Sequence, residues 1–237
     1  DYYETMKHQQ IPGVDILRAP HNLIRQHRRT IKTGASLAKT TGRRTSFVEG
    51  PGCMDWQTTY EKLKWSTDWL LSAGIGMQMP NSVAYTIAHR QHWAEGSLGY
   101  QWSLFEGLET YERYVRRVYQ AMDQGNHVVD IGVLYPTQTY QANFVPYCPA
   151  EGEGKGGIRT EQGKLALEGM DSVCGQLAEN GHDYEYIYPQ VLLEGEVTND
   201  GRVRMGHESF SVLIVPPTSI VMPGVTEKMD AFLRAGG

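Results

Sequence analysis

Glu49 is the residue of this chain best placed to do chemistry. It closes the run Thr45-Ser46-Phe47-Val48-Glu49, which reads as a short strand, and it leads into Gly50-Pro51-Gly52. A carboxylate at a strand end is aimed rigidly, and the glycines after it let a ligand approach the backbone. Such a group serves as general base or as nucleophile; glycoside hydrolysis, for one, needs two carboxylates flanking the bond. Asp15, on a predicted strand over 13–17, is placed to reach the same mouth. Asp55 and Trp56 follow the glycines, and an indole beside a carboxylate suits a sugar, whose C–H faces stack on rings. Asn81 opens the loop after a third predicted strand and would line the same subsite. Each residue also has a plainer reading: Glu49 as a cap or surface charge, Asp15 as a backbone or arginine partner, Trp56 as a local hydrophobic anchor.

Other constellations carry less. His21, Asn22 and Arg25 follow the first strand, but helix capping already accounts for Asn22. His89, His92 and Trp93 share a long loop; the His-x-x-His pair lacks a third and a fourth ligand, so no metal site is predicted. Gly154 to Gly157 precedes a helix but lacks the Gly-Lys-Ser/Thr ending and the GxGxxG spacing of phosphate-binding loops. The three cysteines, Cys53, Cys148 and Cys174, are too few and too scattered for a disulfide framework or a zinc site.

The elements that must position these residues follow a strand, loop, helix, glycine pattern. Strand 13–17 precedes a helix with the stripe Leu23, His27, Ile31 and Ala35, closing at Gly42. The Glu49 strand is stopped by Gly-Pro-Gly. Thr58 and Glu61 have capping-box spacing ahead of Leu63, Leu70 and Leu71, and that helix closes at Gly74. Strand 75–79 is stopped by Pro80. A loop from Asn81 to about Gly107 leads to a helix with Tyr111, Val115, Val118 and Met122, ending at Gly125. Three such repeats imply parallel strands joined by crossover helices, and short strands with long loops favour a barrel.

From Asn126 the character changes. A longer apolar strand over 128–134 precedes the Gly-rich segment 151–157, which reads as a mobile loop. A helix with Leu165, Met170, Val173 and Leu177 closes at Gly181. Then come a strand over 184–188, a hairpin over 196–205 centred on Asn199-Asp200-Gly201, and a buried strand over 211–215 stopped by Pro216-Pro217. A last helix starts near Pro223 and buries Val225, Met229, Phe232 and Leu233. The predicted fold class is α/β: residues 1–125 as the C-terminal part of a (β/α)8 barrel, then 126–237 as a truncated flavodoxin-like, doubly wound domain.

Composition bounds the partners. The net charge of -5 and a pI near 5.9 give no general pull toward nucleic acid or anionic membrane. No run is long and apolar enough for a membrane span, and no signal peptide is visible. The chain opens at Asp1 without a methionine and closes at Ala235-Gly236-Gly237, where a helix would hand over to a strand. Both ends read as cuts in something longer.

The residues resemble a known family. The run Ile11-Pro12-Gly13-Val14-Asp15-Ile16-Leu17, followed by Arg25-Gln26-His27-Arg28, resembles the late barrel of large bacterial glycoside hydrolases related to the family 106 α-L-rhamnosidases. Ser46 to Gly50 with Asp55-Trp56 is similar to their S-E-x-x-G…W segment, although Phe47-Val48 here separates the serine from the glutamate. The stretches 183–187, 201–206 and 213–217 are similar to the module after their barrel. The layout also resembles family 42 β-galactosidases. The resemblance implies that the three barrel strands are the sixth to eighth, with Glu49 ending the seventh as nucleophile or as general base of an inverting reaction. It implies a partner carboxylate upstream of residue 1, a carbohydrate substrate from plant or microbial polysaccharide, with α-L-rhamnosides as candidates, and an extracellular or periplasmic location. No cofactor is required; calcium assists some relatives, and its ligands are not assigned. The alternative is a non-catalytic carbohydrate-binding or assembly protein with a degenerate barrel.

Overall fold

The computed structural model describes residues 2–16, 24–52, 56–81, 83, 86, 98–146 and 156–237, with side chains left aside at 24–27, 51 and 81. In chain order the elements begin with α1 (Tyr2–Met6), β1 (Gly13–Asp15), α2 (Ile24–Thr40), β2 (Phe47–Gly52), α3 (Tyr60–Ser72), β3 (Met77–Asn81) and α4 (Leu108–Asp123). They continue with β4 (Ile131–Leu134), α5 (Thr137–Asn143), β5 (Phe144–Val145), β6 (Gly157–Ile158), α6 (Glu161–Glu179) and β7 (Glu185–Ile187). The last are α7 (Pro189–Glu194), β8 (Glu196–Val197), β9 (Val203–Met205), β10 (Glu208–Phe210), β11 (Val212–Ile214) and α8 (Val225–Arg234). The chain is a mixed α/β protein. Among the described residues no helix is long and apolar enough to cross a membrane.

The chain divides into two compact units. One comprises Gln9–Ala38 and Arg43–Asn126; the other comprises Asp1–His8, Lys39–Gly42 and His127–Gly237.

The first unit is built on a parallel sheet of order β1-β2-β3. Its core holds Ile16, Ile31, Ala35, Val48, Leu70 and Ile75, with Val14 and Trp69 packed against them. Val48 and Ile31 are fully buried, and burial of such a side chain contributes about 1.5–3 kcal/mol. Side chains alternate between the faces of a strand. The helices therefore cover the Val14 and Val48 face. The opposite face carries Phe47, Met77 and Met79, the two methionines 48% and 53% exposed. Gly13 is required there: a Cβ on it would lie 1.9 Å from Cε1 of the Phe47 ring.

Several local expectations shift. Gly50-Pro51-Gly52 does not stop the second strand. β2 runs to Gly52, and its register with β3 shifts between Glu49 and Gly52, so an irregularity absorbs the glycines. Pro80 likewise lies inside β3, an edge of the described sheet, where a missing N–H is tolerated. The cap of α3 is Thr59 rather than Thr58: the Thr59 hydroxyl accepts from the amide of Lys62 at 3.3 Å. Thr58 is buried, and its carbonyl accepts from Nε1 of Trp102 at 3.1 Å. Met122 is 49% exposed rather than packed: it lies in the last turn of α4, past the half-buried Tyr111, Val115 and Val118 of the same stripe.

The second unit carries a parallel sheet of order β11-β4-β7, an antiparallel sheet of order β10-β9-β8 and the short antiparallel pair β5-β6. β4 begins at Ile131, not at Val128, which is 86% exposed. The reason lies in the partner strand, whose first amides, those of Ser211 and Val212, reach back only to the Asp130 carbonyl. Val133, Met170, Cys174, Tyr184 and Tyr186 form the core between this sheet and α6. Thr160 caps α6 by accepting from the amide of Gly163 at 3.1 Å and donates to Oδ1 of the buried Asn143. The hairpin expected over 196–205 is present as β8 and β9, with Gly201 at φ 72° in its turn. β10 adds a third strand not anticipated from the sequence. In α8 Val225 and Phe232 are buried, whereas Leu233, at the edge of the same stripe, is 64% exposed.

Candidate functional site

Glu49 sits on β2 between Asp15 of β1 and Met79 of β3, its two register partners. Its neighbour Val48 points into the helix-covered core, so Glu49 and Asp15 share the opposite face with the exposed methionines. Neighbouring strands lie about 4.8 Å apart, so the two carboxylates rise from adjacent staves. Asp15 is exposed and Glu49 half-buried. The amide of Ile16 donates to the carbonyl of Glu49 at 2.9 Å, fixing the backbone just where β1 ends. Beyond Glu49, Gly52 pairs with Asn81, which puts Asn81 at the carboxyl end of β3.

Trp56 is half-buried and packs against the cluster of Leu63, Leu98 and Trp102, together with Tyr60, Leu108 and Tyr111. Asp55, His21, Asn22, His89, His92 and Trp93 lie outside the described residues, as do Cys53, Cys148 and most of the segment 151–157. For Asn81 and Arg25 only the backbone is described. The structure thus brings Asp15 and Glu49 together, with Asn81 on the next strand.

A second cluster of ionisable groups lies in the other unit. His127 is 26% exposed; Glu185, on β7, and Glu208, on β10, are 0% and 3% exposed. Nε2 of His127 lies 2.7 Å from Oδ2 of Asp183, and Nδ1 lies 3.3 Å from Oε1 of Glu208. Lys39 Nζ donates to Glu185 Oε1 at 2.8 Å. The lysine is positioned by the turn between β9 and β10. Gly206, at φ 57°, lies so close to Lys39–Gly42 that a Cβ would come 2.3 Å from the Lys39 carbonyl oxygen, and the amide of His207 donates to that oxygen. Burial alone would lower the His127 ring, but the hydrogen bonds to Asp183 and then Glu208 outweigh it and hold the imidazole up to about 9. Removing one partner of such a buried set leaves an uncompensated charge, at a cost of about 3–5 kcal/mol.

This cluster escapes a reading by motif, since its members come from distant stretches of chain, Lys39 and Glu185 alone being 146 residues apart. One signal was available. Glu185 interrupts the otherwise apolar run Tyr184-Glu185-Tyr186-Ile187, and a carboxylate inside a buried strand requires partners.

The chain is similar in fold to a rhamnosidase. The solved structure of a rhamnosidase from Novosphingobium sp. PP1Y matches 99% of this chain with a TM-score of 0.69, at 15% sequence identity. At that identity the likeness is one of fold. The chain spans 21% of that protein's length, about a fifth. No family model and no curated protein matches the chain.

Proposed function

We propose that this chain is part of a glycoside hydrolase in which Glu49 takes part directly in bond cleavage, with α-L-rhamnosides of plant or microbial polysaccharide as the substrate class. The observation that carries the reading is the position of Glu49, register-paired with Asp15 on the face of a parallel sheet that the helices leave open. Parallel sheets are covered on both faces, and the exposed Met77 and Met79 call for further layers there. In this reading β1 to β3 are consecutive staves of a (β/α)8 barrel, and the open face is its interior, with the active site at the carboxyl ends. The unit from His127 onward is then the flavodoxin-like domain after the barrel. The fold likeness to a rhamnosidase supports the same assignment.

Glu49 as general base removes a proton from water as the water oxygen bonds to the anomeric carbon, while an acid elsewhere in the barrel protonates the departing oxygen. As nucleophile it bonds to that carbon itself, and water later displaces it. Asp15, Asp55 and Asn81 supply acceptors and donors to sugar hydroxyls, and Trp56 supplies a stacking face. Calcium would require six to eight oxygen ligands. Among the described residues Asp15 and Glu49 belong to no group of three ligand atoms close enough to share an ion, and no step here runs through calcium.

The test is hydrolysis of an aryl α-L-rhamnoside and of rhamnose-bearing polysaccharide by the full-length polypeptide, with the released anomer followed by proton NMR. Release of the opposite anomer assigns Glu49 as base, and release of the same anomer assigns it as nucleophile. The 237-residue chain alone is expected to turn over neither substrate, because its sheet interior is open. Binding of polysaccharide by the full-length protein without any turnover would favour a non-catalytic carbohydrate-binding role.

A further inference from the structure

The proposed chemistry makes no use of the cluster around His127. Both nitrogens of that ring face carboxylates: Nε2 lies 2.7 Å from Asp183, and Nδ1 lies 3.3 Å from Glu208 and 3.4 Å from Glu185. A neutral imidazole has one N–H and one lone pair, so it would turn the lone pair onto an acceptor at one end or the other. Only the imidazolium donates at both ends. Glu185 and Glu208 are almost without solvent exposure, so their charge must be met by protein cations. Lys39, 2.8 Å from Glu185 Oε1, meets part of it. A divalent ion coordinated by Nδ1, Glu185 and Glu208 would crowd the Lys39 ammonium with like charge, so the cationic positions are already filled.

We infer that protonated His127 is the counter-ion that holds β7, β10 and the Lys39–Gly42 segment together, and that its deprotonation at alkaline pH loosens this unit. Among the described residues, charged groups facing the ring include Asp183 before β7, Glu185 on β7, Glu208 on β10 and Lys39. The ring keeps its proton to about pH 9 in the folded chain, against an ordinary value of 6.5. The folded-state value is raised, so the contribution is complete below about pH 6.5, declines above it and is gone once the pH passes about 9.

Hydrogen exchange of the full-length polypeptide, read by mass spectrometry on peptides spanning β7 and β10 and corrected for intrinsic rates, tests this between pH 6 and 10. Wild-type protection should fall by up to about tenfold per pH unit across the window. His127→Gln should show low protection throughout, with no slope. Glu208→Gln keeps the ring and removes one negative charge beside it, so it should move the loss to lower pH, which keeps the test decisive if His127→Gln does not fold. Wild-type protection that is flat with pH, or an unchanged slope in His127→Gln, would overturn the inference. So would added Zn²⁺ that raises protection at pH 7.5 in the wild type but not in His127→Gln, since the ring would then act as a neutral metal ligand.

Discussion

Asp15 and Glu49 are register partners on adjacent parallel strands, and the amide of Ile16 ties the end of β1 to the carbonyl of Glu49 at 2.9 Å. Two carboxylates on one sheet face, each at or near a strand end, are held by backbone pairing rather than by loop conformation. That is the arrangement expected of groups that must meet a substrate with little reorganisation.

Asp15 is proposed to bind substrate rather than to react. A hydrogen bond made by a charged group contributes about 1.5–3 kcal/mol, so Asp15→Asn should lower kcat/KM of the full-length enzyme by about 10- to 100-fold. The loss should fall mainly on KM, as for an interaction made equally in ground and transition states. Steady-state kinetics on an aryl glycoside separates this from a change confined to kcat, which would give Asp15 a role in the chemistry itself.

The Phe47 ring lies over Gly13, and a methyl group there would overlap it. Gly13→Ala should destabilise the first unit by about 1–3 kcal/mol through overpacking. Denaturant unfolding measures this. Gly13→Ala/Phe47→Leu should recover part of the loss, since the smaller side chain relieves the overlap.

The two helix caps should differ. Thr59→Ala removes one acceptor from an exposed helix start and should cost about 1 kcal/mol. Thr160→Ala removes a cap and also strips the hydroxyl that donates to the buried Asn143, so it should cost about 1 kcal/mol more. Equal unfolding midpoints for the two variants would show that Asn143 finds another partner.

The helical periodicities of this chain were largely legible in the sequence, because Ile31 with Ala35, and Leu63 with Leu70 and Leu71, recur at helical spacing and are buried. The glycine and proline signals misled at the strand ends. Gly50 to Gly52 and Pro80 break a strand on local grounds, yet sheet pairing carries β2 and β3 through them. Val128 and Leu233 are apolar and sit at the right spacing, but among the described residues they stay exposed, and coverage is a tertiary property that periodicity does not report. Glu49 and Asp15 could be singled out because a carboxylate in a predicted strand is a local signal, although β2 runs on to Gly52 and Glu49 is not its last residue. The His127 cluster could not, since it is assembled from four separate stretches of chain whose only common sign is one carboxylate in an apolar strand.

The most direct test of the account is the turnover of Glu49→Gln in the full-length polypeptide, measured beside its thermal unfolding. The substitution keeps the shape and removes the charge. A reacting Glu49 requires a fall in kcat of about 10³-fold or more, equivalent to about 4 kcal/mol of transition-state stabilisation, with an unchanged unfolding midpoint. Turnover within a few-fold of the wild type, by a protein that folds normally, would contradict it.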